Sequence, residues 1–283
     1  MSYFTPFDPW KSKICSCPFK YTFNPYTGCA HACIYCYASG YIKDFFKPRP
    51  KSINFNKLKS EAESLKGELV SLSNSTDPYQ PLEEKFELTR KILEILIENQ
   101  AKIQIITKSN LIERDYDLLK NGKVQIAFTL TTLNEEIARK LESKAPLPKE
   151  RMKTVKKFAK KFEVCVRYDP IIPFLNDYEV ELIKKLANYE VKQVIASTFK
   201  VKLDSWQRFS LAFPEIAKKL KDLYFKRGER VKRYWYLPFE LRKEILSRMK
   251  KLVENHGMKF STCRENLQFL NSAKTCDGSW LFY

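Results

Sequence analysis

The sequence predicts an α/β protein: a partial TIM-type (β/α)6 barrel followed by a basic, mainly helical C-terminal extension. Two observations predict this fold. Short apolar, β-branched runs alternate with amphipathic helical segments, and the runs lack the strict alternation typical of half-exposed strands. Hydrophobic residues make up 44% of the 283 residues, which is ample for a large core. We place the barrel at residues 1–203 and the extension, in a position to close the barrel, at residues 204–283.

The elements follow in order along the chain. Strands are predicted at residues 21–24, 69–73, 103–107, 124–130, 164–168 and 193–197. Helices are predicted between them at residues 83–98, 111–119, 148–161 and 178–188, the first with an apolar stripe at Phe86, Ile92, Leu93 and Leu96. In the extension, residues 203–233 read as helical and basic, residues 240–255 as a long basic helix, and residues 258–262 as a seventh strand.

Polar side chains follow every predicted strand. The carboxyl ends of barrel strands meet on one face, where barrel enzymes carry their chemistry. We therefore expect the side chains after successive strands to share a site. They are Asn74 to Asp77, Thr107 to Ser109, Thr129, Arg167 and Asp169, Ser197, and Cys263 to Glu265.

Three cysteines dominate the N-terminal part. Cys29, Cys33 and Cys36 have the spacing C-x3-C-x2-C within the run NPYTGCAHACIYCY, and Gly28 allows a tight turn before them. A four-iron cubane cluster usually takes four thiolates, so three from one loop leave one iron open. An open iron can bind a small molecule through an amine and a carboxylate.

Other readings of these cysteines are weaker. A disulfide framework is not expected in a chain of this length that shows no signal-peptide pattern. A zinc site could use Cys33 and Cys36 with His31, Cys15 or Cys17, but no second C-x2-C pair follows. A thioredoxin-like redox pair would leave Cys29 without a role.

The net charge of +18, from 51 basic and 33 acidic residues, predicts a polyanionic partner such as DNA or RNA. A Lys-rich solvated surface of a thermophilic protein is the alternative, although Lys/Glu enrichment alone would leave the net charge near zero. No stretch approaches 18 consecutive apolar residues, so no transmembrane helix is predicted and a cytoplasmic location is expected.

The cysteine loop resembles that of the radical S-adenosylmethionine (SAM) enzymes. Residues 24–37, 76–83, 107–109 with Arg114 and Asp115, and 167–173 resemble the spore photoproduct lyase-like branch, which includes uncharacterised bacterial and archaeal proteins labelled DNA repair photolyases. The resemblance covers roughly residues 20–200. It implies a [4Fe-4S] cluster, SAM as a cofactor, and an electron donor such as ferredoxin or flavodoxin.

The resemblance also implies roles for single residues. Cys29, Cys33 and Cys36 would ligate the cluster. The backbone at Tyr35 and Tyr37 would meet the adenine, Lys108 with Thr129 would bind the SAM carboxylate, and Arg167 would hold the ribose or carboxylate. Asp77, Ser109 and Ser197 complete the expected cofactor-binding set. The alternatives are a surface role for Lys108 and, for Arg167, a structural pair with Asp169 or Glu163.

One position departs from the branch. Spore photoproduct lyases carry a hydrogen-donating cysteine just before the segment that here reads Asn74-Ser75-Thr76-Asp77. Repair of thymine dimers by that route is therefore not expected. Cys263 is our candidate for a replacement catalytic thiol. Alternatively, Cys263 shares a second metal or cluster site with Cys15, Cys17 and Cys276, or all four are ordinary thiols; Cys165 reads as a core residue.

These observations predict a radical SAM enzyme that reductively cleaves SAM at a [4Fe-4S] cluster and directs a 5′-deoxyadenosyl radical at a nucleic acid or phosphate-bearing substrate. The aromatic and basic tract 224–236 is the candidate stacking surface. Two alternatives are a radical SAM enzyme that acts on a peptide or small metabolite, and a non-enzymatic zinc-dependent nucleic-acid-binding protein.

Overall fold

Seven parallel strands curve into a partial barrel, as the sequence predicts. The structure, a computed structural model, describes residues 2–7 and 14–283. Its strands are β1 (Thr5–Pro6), β2 (Tyr21–Phe23), β3 (Tyr26–Thr27), β4 (Arg49–Pro50), β5 (Leu69–Leu72), β6 (Lys102–Thr107), β7 (Lys123–Thr129), β8 (Glu163–Ile171), β9 (Gln193–Thr198), β10 (Glu229–Val231), β11 (Tyr234–Tyr236) and β12 (Lys259–Thr262). In the described residues the main sheet has the order β1-β2-β5-β6-β7-β8-β9-β12, and all neighbours are parallel except β1 and β2.

The helices that connect the parallel strands bury their apolar faces against the sheet. They are α1 (Phe55–Ala62), α2 (Leu82–Phe86), α3 (Leu88–Glu98), α4 (Tyr116–Leu119), α5 (Glu135–Leu141), α6 (Pro148–Ala159), α7 (Val180–Asn188), α8 (Leu203–Ala212), α9 (Pro214–Phe225) and α10 (Phe239–Asn255). No helix of the described segments is both long and apolar enough to cross a membrane.

The interior of the barrel is polar at the amino ends of the strands. Gln104 of β6 donates to Gln125 of β7 and to the carbonyl of Asp277, and Gln193 of β9 accepts from the indole of Trp280. The C-terminal segment therefore plugs this end of the barrel and provides hydrogen-bond partners for the buried side-chain amides of Gln104 and Gln193. The opposite end, at the carboxyl termini of the strands, stays open as a cavity.

The predicted seventh strand is confirmed, since β12 pairs in parallel with β9. The predicted helix 83–98 is wrong in one respect, because Glu87 adopts a left-handed conformation with φ of 50° that separates α2 from α3. The cause is the buried carboxylate of Glu83, which accepts hydrogen bonds from the backbone amides of Thr89 and Arg90. It thus caps the first turn of α3.

The prediction that residues 203–233 are helical is confirmed up to Phe225 and wrong beyond it. The chain forms α8, then α9 with Pro214 at its first position, then the hairpin β10–β11. Within the tract 224–236, Tyr224, Tyr234 and Tyr236 are buried. These tyrosines therefore pack inside the protein and do not offer an exposed stacking surface.

Candidate cluster and cofactor site

The three cysteines lie on the wall of the cavity at the carboxyl ends of the strands. This cavity has a volume of about 520 Å³, within the range of small-molecule sites. Its wall includes Cys29, Cys33 and Cys36 together with Lys108 and Arg167. Also on the wall are the predicted site residues Tyr35, Tyr37, Asp77, Thr129, Ser197 and Cys263.

The loop can turn toward the cavity because residue 28 is glycine. Gly28 has a φ of 79°, and a Cβ atom built there would lie 2.4 Å from the carbonyl oxygen of Phe45. That carbonyl accepts the amide hydrogen of Cys29 at 2.9 Å. Only glycine allows both the backbone conformation and this close approach.

Gln80 holds the backbone on both sides of Cys29. Its Nε2 donates to the carbonyl of Gly28 at 3.1 Å, and its Oε1 accepts from the amide of Ala30 at 2.9 Å. Thr76 Oγ1 donates to the same Gly28 carbonyl at 2.6 Å. Because Gln80 is fully buried, the loop after β5 fixes the start of the cysteine loop.

Asp77 connects this loop to β6. Its carboxylate accepts from Thr107 Oγ1 at 2.7 Å and from the Lys108 amide at 2.8 Å, and His31 Nε2 lies 3.3 Å from its Oδ2. Burial alone would raise the pKa of Asp77, but His31 and these hydrogen bonds outweigh it and lower the pKa to about 2. Asp77 therefore stays ionised and positions the loop, although it also reaches the cavity wall.

The second half of the cysteine loop docks against the end of α5. The amide of Ile34 donates to the carbonyl of Leu141 at 2.9 Å, and the Tyr35 hydroxyl donates to Glu142. Glu142 in turn pairs with the buried Arg151 at 2.6 Å. Tyr35 is therefore held by its hydroxyl while its ring faces Lys108.

α8 supports the third cysteine from the other side. Arg208 Nε donates to the carbonyl of Ile34 at 3.1 Å, and Arg208 also pairs with Asp204. Ser39 donates to the carbonyl of Cys36 at 2.8 Å and to Asp204 at 2.6 Å. The helix that follows β9 thus helps to fix Cys36.

Lys108 extends into the cavity from the end of β6. Its Nζ lies 5.7 Å from the centre of the Tyr35 ring, and it forms none of the ion pairs found among the described residues. Burial would lower the pKa of Lys108, but Cys33 and Glu142 nearby outweigh it and raise the pKa. A charged ammonium on this wall is suited to bind a carboxylate.

Arg167 and Cys263 meet across the ends of β8 and β12. Arg167 Nη2 donates to Asp169 Oδ2 at 2.9 Å and to Cys263 Sγ at 3.5 Å. The pair with Asp169 is the structural alternative that the sequence left open, and it leaves Arg167 on the cavity wall. Ser197 accepts from Lys200, which also pairs with the buried Glu265 at 2.8 Å.

Ser109 lies at the start of a short helix that follows β6. Its hydroxyl accepts the amide hydrogen of Leu111 at 3.1 Å and caps that helix. Ser109 is not one of the described residues that line the cavity. Sequence analysis missed the positioning roles of Gln80, Glu142 and Arg208. The signal for Gln80 was its place in the run 76–83, which carries part of the family resemblance.

Of the four cysteines considered for a second metal site, Cys15, Cys17 and Cys276 lie close together. Cys276 Sγ donates to Cys17 Sγ at 3.5 Å, and Cys15 is also hydrogen-bonded to Cys17. Cys263 instead lies beside Arg167. Cys165 is buried in the barrel with Ala127 and Ile195, as predicted for a core residue.

The cysteine loop fits an iron–sulfur cluster by its donor set. Burial, with Asp77 adding, raises the pKa of the Cys29 thiol to about 12, and burial also raises the pKa of Cys33 and Cys36. These thiols need the positive charge of bound metal to ionise. In residues 2–7 and 14–283, no three Cys, His, Asp or Glu side chains converge on a single metal ion. A four-iron cluster does not require that, because each thiolate binds a different iron.

Comparison with known proteins supports this assignment. Residues 23–187 match the family model of the radical SAM superfamily. An uncharacterized protein of Mycobacterium tuberculosis is 27% identical over 272 residues, covering 85% of this chain and 76% of that protein. An uncharacterized protein of Acidianus two-tailed virus is 34% identical over 193 residues, covering 59% and 63%.

The fold is similar to that of solved radical SAM enzymes. A mutant of spore photoproduct lyase aligns with a TM-score of 0.66 at 14% identity, covering 90% of this chain and 76% of that one. Streptococcus suis SuiB bound to S-adenosylmethionine aligns with a TM-score of 0.57 at 12% identity, covering 85% and 49%. The radical SAM domain implies a [4Fe-4S] cluster and SAM. Since the family model spans more than half of the 283 residues, this chain belongs to the radical SAM superfamily and is an enzyme.

Proposed function

We propose that this enzyme binds a [4Fe-4S] cluster through Cys29, Cys33 and Cys36, binds SAM in the adjoining cavity, and acts on a nucleic acid or another phosphate-bearing substrate. The observation that carries the proposal is that the thiols of Cys29, Cys33 and Cys36 share one cavity wall with Lys108, which forms no ion pair among the described residues. When bound, the cluster supplies the electron that cleaves the carbon–sulfur bond of SAM and yields a 5′-deoxyadenosyl radical.

The side chains of the cavity bind and orient. Lys108 binds the SAM carboxylate through a charge-assisted hydrogen bond, and the Thr129 hydroxyl lies on the same wall. Tyr35 and Tyr37 place the backbone of the cysteine loop beside the adenine. Arg167, held by Asp169, contacts the ribose or carboxylate. The burial of this wall limits access of water to the reacting atoms.

The substrate class rests on charge. The described cavity wall has more basic than acidic side chains, with Lys20, Lys108, Arg167, Lys200 and Arg264 against Asp77, Asp169 and Asp277, and the whole chain carries a net charge of +18. Such a surface attracts phosphate groups. A spore photoproduct lyase with this fold has been solved with a dinucleoside photoproduct. A peptide or small-metabolite substrate is the alternative, and the electron donor we expect is ferredoxin or flavodoxin.

Cys263 is the thiol that we assign to hydrogen-atom donation. The position before the Ser75-Thr76-Asp77 run is Asn74, whose amide donates to Thr22 Oγ1 at 2.7 Å. Cys263 lies on the cavity wall, where Arg167 donates to its sulfur. Cys263→Ala should keep the iron and the cleavage of SAM without product formation, whereas unchanged product formation would exclude this role.

The central experiment is an anaerobic assay of 5′-deoxyadenosine formation from SAM with a chemical reductant. Wild type should form it, and Cys29→Ala, Cys33→Ala and Cys36→Ala should lose both iron and activity. Cys165→Ala, in the barrel core away from the loop, serves as the matched control and should retain both. A full four-iron content in any of the three loop variants would contradict the assignment.

A second experiment tests the substrate class. Binding of labelled DNA and RNA should weaken steeply as salt rises, because bound phosphates release counterions. Nucleic acid should also stimulate 5′-deoxyadenosine formation. Salt-independent binding without stimulation would favour a peptide or metabolite substrate.

A further inference from the structure

Three thiols outside the cysteine loop meet where the two ends of the chain come together. Cys15 and Cys17 precede β2, and Cys276 lies in the C-terminal segment. Cys276 Sγ is 3.5 Å from Cys17 Sγ, and Cys15 is hydrogen-bonded to Cys17. Cys15 and Cys17 lie on the wall of the cavity that also contains the cluster loop.

The contact is fixed by interactions other than those of the thiols. Lys20, three residues after Cys17, is buried and pairs with Asp277 at 2.5 Å. On the other side, Ser261 Oγ donates to the carbonyl of Cys276 at 2.9 Å, and Gln193 Nε2 donates to that of Thr275 at 3.1 Å. The backbone on both sides therefore holds Cys17 and Cys276 opposite each other.

Among the described residues, this group is not placed to hold a single metal ion. Two thiolates on one tetrahedral zinc ion lie about 3.8 Å apart, given Zn–S bonds of about 2.3 Å, so the close pair alone would fit. A metal needs at least a third ligand, and the described residues contain no three ligand side chains placed to hold an ion. Thiolates on different irons of a cubane would lie further apart than this pair.

The chemistry that suits two adjacent thiols is oxidation to a disulfide. Hydrogen bonds from Cys15 and Cys276, with Lys20 adding, lower the pKa of Cys17 well below its ordinary value despite its burial. The hydrogen bond to Cys17, together with burial, raises the pKa of Cys276. Cys17 is thus the nucleophile, and Cys276 is the thiol that resolves the intermediate.

We propose that Cys17 and Cys276 form a redox-active dithiol beside the reaction cavity, whose oxidant is a small-molecule disulfide. The Cys17 thiolate attacks one sulfur of the oxidant, forms a mixed disulfide and releases the first thiolate. Cys276 gives its proton to that thiolate, attacks the Cys17 sulfur and releases the second thiolate. The protein loses two electrons, and the oxidant becomes one thiol and one thiolate.

The reaction requires little movement. A disulfide has an S–S distance of about 2.05 Å, so the two sulfurs must approach by about 1.5 Å, which a side-chain rotation can supply. The bond would join the segment before β2 to the C-terminal plug along one wall of the cavity. The proposal does not rest on SAM chemistry.

The test uses the anaerobically purified, cluster-containing protein treated with oxidised glutathione. Free thiols are then alkylated, and peptides are identified by mass spectrometry. We expect a peptide pair linked through Cys17 and Cys276 and two fewer alkylated cysteines than in the untreated protein. Cys276→Ser should stop at a glutathione adduct on Cys17, and Cys17→Ser should give neither product.

Cys165→Ala is the matched control and should form the linked pair as wild type does. Three outcomes would overturn the proposal: Cys17 remaining fully alkylated after oxidation, a Cys15–Cys17 linkage in its place, or zinc or additional iron that Cys17→Ser loses. If the serine variants fail to fold, the wild-type linkage alone decides between these results.

Discussion

The tight approach at Gly28 makes the cluster loop sensitive to a single methyl group. In Gly28→Ala the new Cβ would lie 2.4 Å from the carbonyl oxygen of Phe45, so this carbonyl must move. Its movement weakens the hydrogen bond from the Cys29 amide, worth about 0.5–1.5 kcal/mol. The φ of 79° adds a cost of about 1–2 kcal/mol for any residue with a side chain.

Gly67→Ala is a control that separates these two effects. Gly67 has a φ of 75°, and a Cβ there would meet nothing within 4 Å. Both variants should therefore share the conformational cost, and Gly28→Ala should be less stable than Gly67→Ala by about 0.5–1.5 kcal/mol or more. We would measure urea unfolding of the metal-free proteins and the iron content of the reconstituted ones.

Gly67→Ala should keep the full iron content, whereas Gly28→Ala should bind less iron because Cys29 is displaced. Equal unfolding midpoints and equal iron contents for the two variants would refute the reasoning. That result would mean that the Phe45 carbonyl can move without disturbing the position of Cys29.

Three further predictions concern neighbouring residues. Lys108→Met should weaken SAM binding about ten- to a hundredfold in a binding titration, with the iron content unchanged. The reason is the loss of one charge-assisted hydrogen bond of about 1.5–3 kcal/mol. Lys102→Met, at the other end of β6, is the control and should not change SAM affinity. The Asp77 carboxyl has a pKa of about 2 in the folded protein, against a reference value of 3.8. Its ionised form therefore contributes about 2 kcal/mol to the free energy of unfolding above pH 4, and this contribution is lost as the pH falls toward 2. The free energy of unfolding of metal-free Asp77→Asn should therefore fall less than that of wild type between pH 4 and pH 2. Equal falls for the two proteins would contradict this. Gln80→Leu should lower iron content because the Gly28 carbonyl and Ala30 amide lose their buried partner, whereas full retention of iron would show that Thr76 suffices.

The barrel could be predicted from the sequence because several of its strands, such as β5 and β9, are short runs buried on both faces. The strand register could not, since it depends on contacts between distant segments such as Gln104 with Asp277. The break at Glu87 was hidden because the apolar stripe continues across it, while its cause is the burial of Glu83 among residues far along the chain. The burial of the tyrosines in the tract 224–236 was not predicted for a related reason, since composition does not reveal which side chains face the core.

In the candidate site too, some residues could be predicted from the sequence and others could not. The cysteine spacing predicts which side chains would bind the cluster, because those ligands lie within eight residues of one another. The residues that hold the loop in place come from three other segments: Gln80 after β5, Glu142 after α5 and Arg208 in α8. Each acts on the backbone or on a tyrosine of the loop and touches no expected ligand atom. A substitution at these positions should therefore move the cysteines relative to Lys108 without removing any ligand, and SAM affinity should fall by a larger factor than iron content.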